Sequence, residues 1–424
     1  MNETAVYEPL LFSRETIFSL SALDDEIQKA LPVAQAAYTY MHRNPELGHA
    51  EYKAHAYVSE QISALGRFSI FPSQSAPTAV IAVYDTGRPG PVIAIRAELD
   101  ARPLDPGVVE PHDHNPRSEI DGLMHNCGHD AHTAMLLAMA RVVHAQPHWF
   151  AGRIVLVFQP AEEIGRGADD LIQEGIIARL GVEQAFALHV SPPLQLGIVS
   201  IASGPRLAGS NYFRLVIEGR GSHAAAPYAG DDIPSLAARL VEALTTLPAR
   251  RLDLANRPMV LSVTSLKADS GASNTLPGSA ELVGTIRAFE DLRVAPPGER
   301  SLEAIITDTI VSVLHGVSYE WSLRQATPSM RNDEELFSRI VPPLQLIWPG
   351  ALDVRSRRGM FADDFAYYTQ VLPALYFGLG VAKDEFGRSG EHTADFNIHP
   401  DSLASGIRLM TLLAHLATNA EKGA

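Results

Sequence analysis

Pro91-Val92-Ile93-Ala94-Ile95-Arg96-Ala97-Glu98-Leu99-Asp100 decides the fold. The short apolar run after the proline is rich in β-branched residues and predicts a buried strand. That strand delivers two carboxylates, Glu98 and Asp100, to its C-terminal end. On its N-terminal side, Glu51 to Leu65 carries apolar residues at mixed three- and four-residue spacing and predicts a helix ending at Gly66. On its C-terminal side, Ala131 to Val143 predicts a helix and Arg153 to Phe158 a second buried strand, which delivers Glu162 and Glu163. Gln184 to Leu188 predicts a third strand, ending in His189-Val190-Ser191-Pro192. Alternating helices and apolar strands imply an α/β layer structure. Ligands in such folds gather beyond the carboxyl ends of the strands, where these polar groups fall.

The pattern changes near Ser203-Gly204-Pro205. Tyr212 to Glu218 is strand-like, Ile233 to Leu247 helical, and Met259 to Leu266 and Ala280 to Ala288 strand-like. Ser301 to Leu314 is helical and Ser318 to Arg324 strand-like. The order β-α-β-β-α-β is that of a ferredoxin-like split βαβ unit. After Pro328 helix and strand return, closing with an amphipathic helix over Pro400 to Leu416. The simplest partition is a small α+β domain, 207–326, inserted into a larger one made of 1–206 and 327–424.

A chain of 424 residues exceeds one ordinary core and agrees with two domains. A formal net charge of −15 argues against a nucleic-acid partner, which needs a basic face. The single cysteine excludes an internal disulfide framework. Met1 to Glu8 shows neither a basic nor an apolar leader pattern, and no apolar run is long enough to span a bilayer. A cytoplasmic protein with no membrane partner is expected.

The densest chemistry is His125-Asn126-Cys127-Gly128-His129-Asp130-Ala131-His132, which contains the only cysteine. Thiolate, imidazole and carboxylate donors together suit a borderline transition metal such as Zn²⁺ or Mn²⁺. One of His125 and His132 is expected only to orient its neighbours. The adjacent pair Glu162-Glu163 permits a division of labour, one ligating and one taking a proton from an activated water. His189, His392 and His223 are each weak signals taken singly. Asn274 and Arg287 are ordinary strand-end polar residues on the same view, and Glu46 and Glu51 read as surface charges.

Several motifs extend this picture: His42-Arg43-Asn44-Pro45-Glu46-Leu47-Gly48, Phe158-Gln159-Pro160-Ala161-Glu162-Glu163, Gly221-Ser222-His223-Ala224-Ala225-Ala226-Pro227, Asp363-Asp364-Phe365-Ala366 and Glu391-His392-Thr393-Ala394-Asp395. With the two stretches quoted above, the chain resembles along its length the aminoacylase-type metallopeptidases of family M20, in their amidohydrolase branch. The resemblance implies a catalytic metal-binding domain of exopeptidase type, with the inserted domain serving as lid and dimerisation domain. It implies two divalent ions per subunit (Mn²⁺ or Zn²⁺ first, Co²⁺ or Ni²⁺ next) held by Cys127, His129, Glu163, His189 and His392, with Cys127 bridging. Glu162 matches the general base and Asp100 a supporting carboxylate. His223 matches a lid imidazole that polarises the scissile group across a homodimer or higher homo-oligomer. Asn274 and Arg287 match residues that hold a substrate carboxylate.

This sequence departs from the family's pattern around the pocket. Glu98 stands where aspartate is usual and Arg102 where leucine usually precedes Pro103. The segment Leu104 to Met124 is long and carries His112 and His114, Phe361 replaces a glycine, and Thr393-Ala394 replaces Ser-Pro. The leading expectation is a metal-dependent hydrolase of the amide of an N-acyl amino acid or related small carboxylate, using water activated by two metals. One alternative is an aminohydrolase that releases ammonia from a small aromatic amine such as an aminobenzoate. A metal-binding ligand sensor without turnover is the other, against which the presence of Glu162 argues.

Overall fold

The computed structural model describes residues 18–355 and 358–419. The N-terminal stretch read above for a leader lies outside them. Along the chain run helices α1 (Leu20–Arg43) and α2 (Tyr52–Ser63), strands β1 (Phe68–Phe71), β2 (Val80–Asp85) and β3 (Val92–Glu98), and helix α3 (His129–Ala145). Next come β4 (Arg153–Gln159), β5 (Gln184–Gln195) and β6 (Val199–Ser200), then β7 (Gly209–Glu218), α4 (Ile233–Arg251), β8 (Met259–Lys267), β9 (Ser279–Ala288), α5 (Leu302–Leu314) and β10 (Ser318–Thr327). The chain closes with β11 (Leu352–Asp353), β12 (Ala374–Ala382) and α6 (Ser402–Asn419).

The chain divides into two compact units. The first comprises, of the described residues, 18–204, 331–355 and 367–419 and is built on an eight-stranded sheet of order β1-β2-β4-β3-β5-β12-β6-β11. Its centre, β4-β3-β5-β12, is parallel throughout. Every residue of β3 is buried, as befits a strand with neighbours on both edges and layers on both faces. Helix α3 is buried almost all round, packed against β3, α1 and α6.

Strand β5 runs seven residues beyond its sequence reading, through Pro192 and Pro193. Pairing with β3 stops at Ala187, and pairing with β12 continues past an irregularity near Ala382. A stretch with one free edge tolerates residues that cannot donate to a ladder. His189 therefore lies within a strand, just where β5 outruns β3.

The second unit comprises residues 205–330 and 358–366. Its antiparallel sheet has the order β8-β9-β7-β10 and packs α4 and α5 over one apolar core. That order is the split βαβ arrangement expected from the element sequence. Among the described residues no helix is long and apolar enough to cross a membrane.

Candidate metal centre

Parallel register brings the chemistry to one end of the first unit's sheet. Glu98 pairs with Gln159 at the ends of β3 and β4, so Asp100 and the Glu162-Glu163 pair leave side by side. The Cys127-Gly128-His129 corner opens α3 beside them. Gly128 sits at φ +87°, and a Cβ there would come within 2.4 Å of Val190 Cγ2. Only glycine lets this corner lie against His189-Val190.

Two histidines face the centre in the same tautomer. His129 Nδ1 is 2.8 Å from the Asp100 carbonyl and His189 Nδ1 is 2.8 Å from the Val190 carbonyl. A carbonyl can only accept, so both rings carry their proton on Nδ1 and turn the Nε2 lone pair inward. Cys127 Sγ lies 3.5 Å from His189 Nε2. His129 Nε2 and Glu163 Oε1 are buried without a hydrogen-bond partner. Buried orphan lone pairs that converge on one point are what a cation resolves. Donor atoms of Cys127, His129 and His189 lie within 4.8 Å of one another, as do those of Cys127, Glu163 and His392. Asp100 supports both sides: its carbonyl fixes His129 and its Oδ2 accepts the Glu163 amide at 2.9 Å.

Electrostatics agree with a site built for positive charge. Burial pushes the Cys127 thiol well up, with Glu163 adding to it. Burial, with Asp100 adding, also raises the Glu163 carboxyl. Burial opposes a charge on His129, but Cys127 and Asp100 outweigh it and raise that imidazole. Glu162 places Oε2 3.8 Å from His129 Nε2, beside the ligand atoms.

The first donor group fits a divalent ion. The second is already engaged. Arg102 Nη1 lies 3.0 Å from Glu163 Oε2 and 2.7 and 2.9 Å from the two ring nitrogens of His392. His392 is held at φ +66°, and its amide donates to the Asn126 carbonyl at 2.7 Å. Burial and the Arg102 guanidinium push His392 down to about 4. As the residues stand, the Arg102 guanidinium contacts two of the second group's three donor residues.

Several supporting residues escape sequence reading. Glu51 is fully buried and accepts from the Ala161 amide, the His49 amide and the Thr78 hydroxyl, which corrects its reading as a surface charge. Glu46 is half-buried and accepts the Lys53 and Ala54 amides at the start of α2, which corrects the same reading. Glu98 accepts from His132 Nδ1 at 2.7 Å, while His132 Nε2 accepts the Val190 amide at 3.0 Å. His132 thus orients the strand that carries His189. His125 is buried with neither ring nitrogen bonded to a partner. His42 bridges Asp130 at 2.6 Å and Glu110 at 2.9 Å, which ties the long 104–124 segment to α1 and α3.

In the second unit, His223 pairs with Thr275 across a two-residue ladder, and the Ala224 amide donates to the Asn274 carbonyl. His223 Nδ1 accepts the Ala225 amide at 3.1 Å, which leaves Nε2–H as its free donor. Arg287 lies on β9 opposite Ser210 and Val260.

Residues 94–416 match the model of peptidase family M20/M25/M40. The chain is 31% identical to IAA-amino acid hydrolase ILR1-like 2 of Arabidopsis thaliana, over 90% of this chain and 85% of that one. It is 35% identical to the N-acyl-L-amino acid amidohydrolase of Geobacillus stearothermophilus, over 66% of this chain and 73% of that one. Its fold is similar to that of a dinuclear metal-binding M20-family peptidase from Bacillus subtilis, with a TM-score of 0.77 at 23% identity, covering 93% of this chain and all of that one.

Proposed function

This chain belongs to peptidase family M20/M25/M40, whose members are metal-dependent hydrolases of C–N bonds, and on that premise we propose that it hydrolyses the amide of an N-acyl amino acid. The observation that carries the reading is the position of Glu162. Its carboxylate stands 3.8 Å from His129 Nε2, next to the Cys127, His129 and His189 donors without being one of that trio.

Cys127 Sγ, His129 Nε2 and His189 Nε2 would hold a divalent ion; the thiolate and imidazole donors suit Zn²⁺ and the adjoining carboxylates Mn²⁺. When bound, such an ion lowers the pKa of a water and polarises a carbonyl. Glu162 takes the proton as the water oxygen bonds to the amide carbon. It returns that proton to the nitrogen as the C–N bond breaks, giving a free carboxylate and an amine. Asp100 keeps His129 in its working tautomer and fixes the Glu163 backbone. His223, through Nε2–H, supplies a donor for the oxyanion, and Asn274 and Arg287 hold the substrate carboxylate.

The second unit is read as the lid and the homodimer contact. Its edge strand β8 leaves Val260 and Leu266 exposed, and open apolar edges favour pairing with another copy.

The deciding experiment offers metal-loaded protein acyl-amino acids, dipeptides and aminobenzoates, scored for free amino acid and for ammonia. Release of free amino acid by wild type, abolished in Glu162→Gln, is the expected result. Ammonia from an aromatic amine with no amide cleavage would replace this reading by the aminohydrolase one. No turnover on any substrate would replace it by the sensor.

A further inference from the structure

Arg102 has no part in the reaction just described, yet its guanidinium sits among the candidate ligands. The residue lies on a two-residue strand, Arg102–Pro103, paired with Leu123–Met124. One nitrogen, Nη1, is within 3.0 Å of Glu163 Oε2 and of both ring nitrogens of His392. These are two of the three residues whose donors, with Cys127 Sγ, cluster within 4.8 Å. A guanidinium stays protonated at every pH at which a protein is folded, and it has no lone pair to offer a metal. It cannot join such a cluster as a ligand. It can only stand where a cation would.

The partners are anchored independently of Arg102. Glu163 is tied through its amide to Asp100 Oδ2, and His392 through its amide to the Asn126 carbonyl. Glu163 and His392 are thus presented to this point by the backbone, and the arginine reaches it from a third segment of the chain. Another donor group, Cys127, His129 and His189, has no guanidinium contact among the described residues, and there His129 Nε2 is left orphaned.

We propose that the Arg102 guanidinium holds the position between Glu163 and His392 that a second metal ion would take, so that each subunit binds one divalent ion, at Cys127, His129 and His189. The inference rests on the metal-centre reading above. It makes one of the centre's three positive charges part of the polypeptide, fixed in place and beyond the reach of a chelator.

The test is metal stoichiometry of the full chain, read without reference to activity. Protein stripped by chelator is reloaded with excess Mn²⁺, freed of unbound ion by gel filtration, and examined by elemental analysis and electron paramagnetic resonance. Wild type should hold one ion per subunit with the six-line signal of isolated Mn²⁺. Arg102→Leu should hold two, with an exchange-coupled spectrum. His392→Ala should keep its single ion, because there His392 partners the arginine, whereas His189→Ala should lose it. Two ions in wild type would overturn the proposal. So would loss of the ion from His392→Ala, or a single ion in a folded Arg102→Leu. Should Arg102→Leu not fold, the wild-type count and His392→Ala still decide. No bound ion in wild type would overturn this proposal together with the metal-centre reading beneath it.

Discussion

Glu51 Oε1 accepts the Ala161 amide at 2.8 Å, joining residues 110 positions apart. Ala161 sits at φ +57°, a left-handed conformation that costs a non-glycine residue roughly 1–3 kcal/mol unless its surroundings enforce it. It immediately precedes Glu162. The buried carboxylate therefore secures the backbone that aims the proposed base. Glu51→Ala strands the buried Ala161 amide and Thr78 hydroxyl, each worth about 1–3 kcal/mol when left without a partner. It should lower stability in urea unfolding and reduce kcat at least about tenfold by loosening Glu162. Glu51→Gln, which keeps an acceptor oxygen, should recover most of both. An alanine variant as stable and as fast as wild type would refute the role.

The bridge from Asp130 through His42 to Glu110 predicts a pH dependence of stability. Burial opposes a charge on His42, but hydrogen bonds to Asp130 and Glu110 overcome it and raise the imidazole to about 9. Its stabilisation is therefore full below the ordinary value of 6.5 and is lost as pH rises through about 9. Glu110, despite burial, is lowered to about 2 by His114 and His42, so its share is present above 4.5 and fades as pH falls toward 2. The His42 shift corresponds to about 3 kcal/mol. The stability difference between wild type and His42→Gln should shrink steadily from pH 7 to pH 9.5. A difference that stays constant over that interval would show that the imidazole is neutral.

Glu162→Gln should bind metal and substrate as wild type does while kcat falls about 10²–10⁴-fold, the usual loss for a general base. Cys127→Ala should lose metal and activity together. Elemental analysis and steady-state kinetics on the two variants separate the roles. Full metal content in Cys127→Ala, or near-normal kcat in Glu162→Gln, would break the assignment.

His223→Ala should leave metal content normal and cut kcat about 10²–10³-fold, as expected for a lost oxyanion donor. Mixing His223→Ala with Glu162→Gln subunits should restore part of the activity if the imidazole acts across a dimer. Unchanged turnover in the single variant would make His223 a turn residue only. No recovery despite proven subunit exchange would confine it to its own subunit.

What the sequence discloses depends on how local each feature is. Strands β3 and β4 are legible because burial on both faces requires a continuous apolar run. Cys127 and His129 announce themselves by rarity and spacing, and Glu162-Glu163 by position at a strand end. Arg102 is visible only as an unusual residue before Pro103, because the contact that gives it meaning is with His392, 290 residues on. Glu51 reads as solvated because nothing near it in sequence reveals that a distant loop offers it an amide. The extension of β5 through two prolines is hidden for a similar reason: it depends on one edge of the strand being unpaired, a property of the sheet rather than of the segment.

His129 and His189 are both oriented by main-chain carbonyls, those of Asp100 and Val190. Every amino acid brings an identical carbonyl, so a point substitution at position 190 leaves that oxygen in place, and at position 100 it removes a carboxylate but not the acceptor. The aim of the imidazole pair is in this sense insulated from side-chain drift. The walls around it can diverge toward new acyl groups while the two nitrogens go on facing the same point.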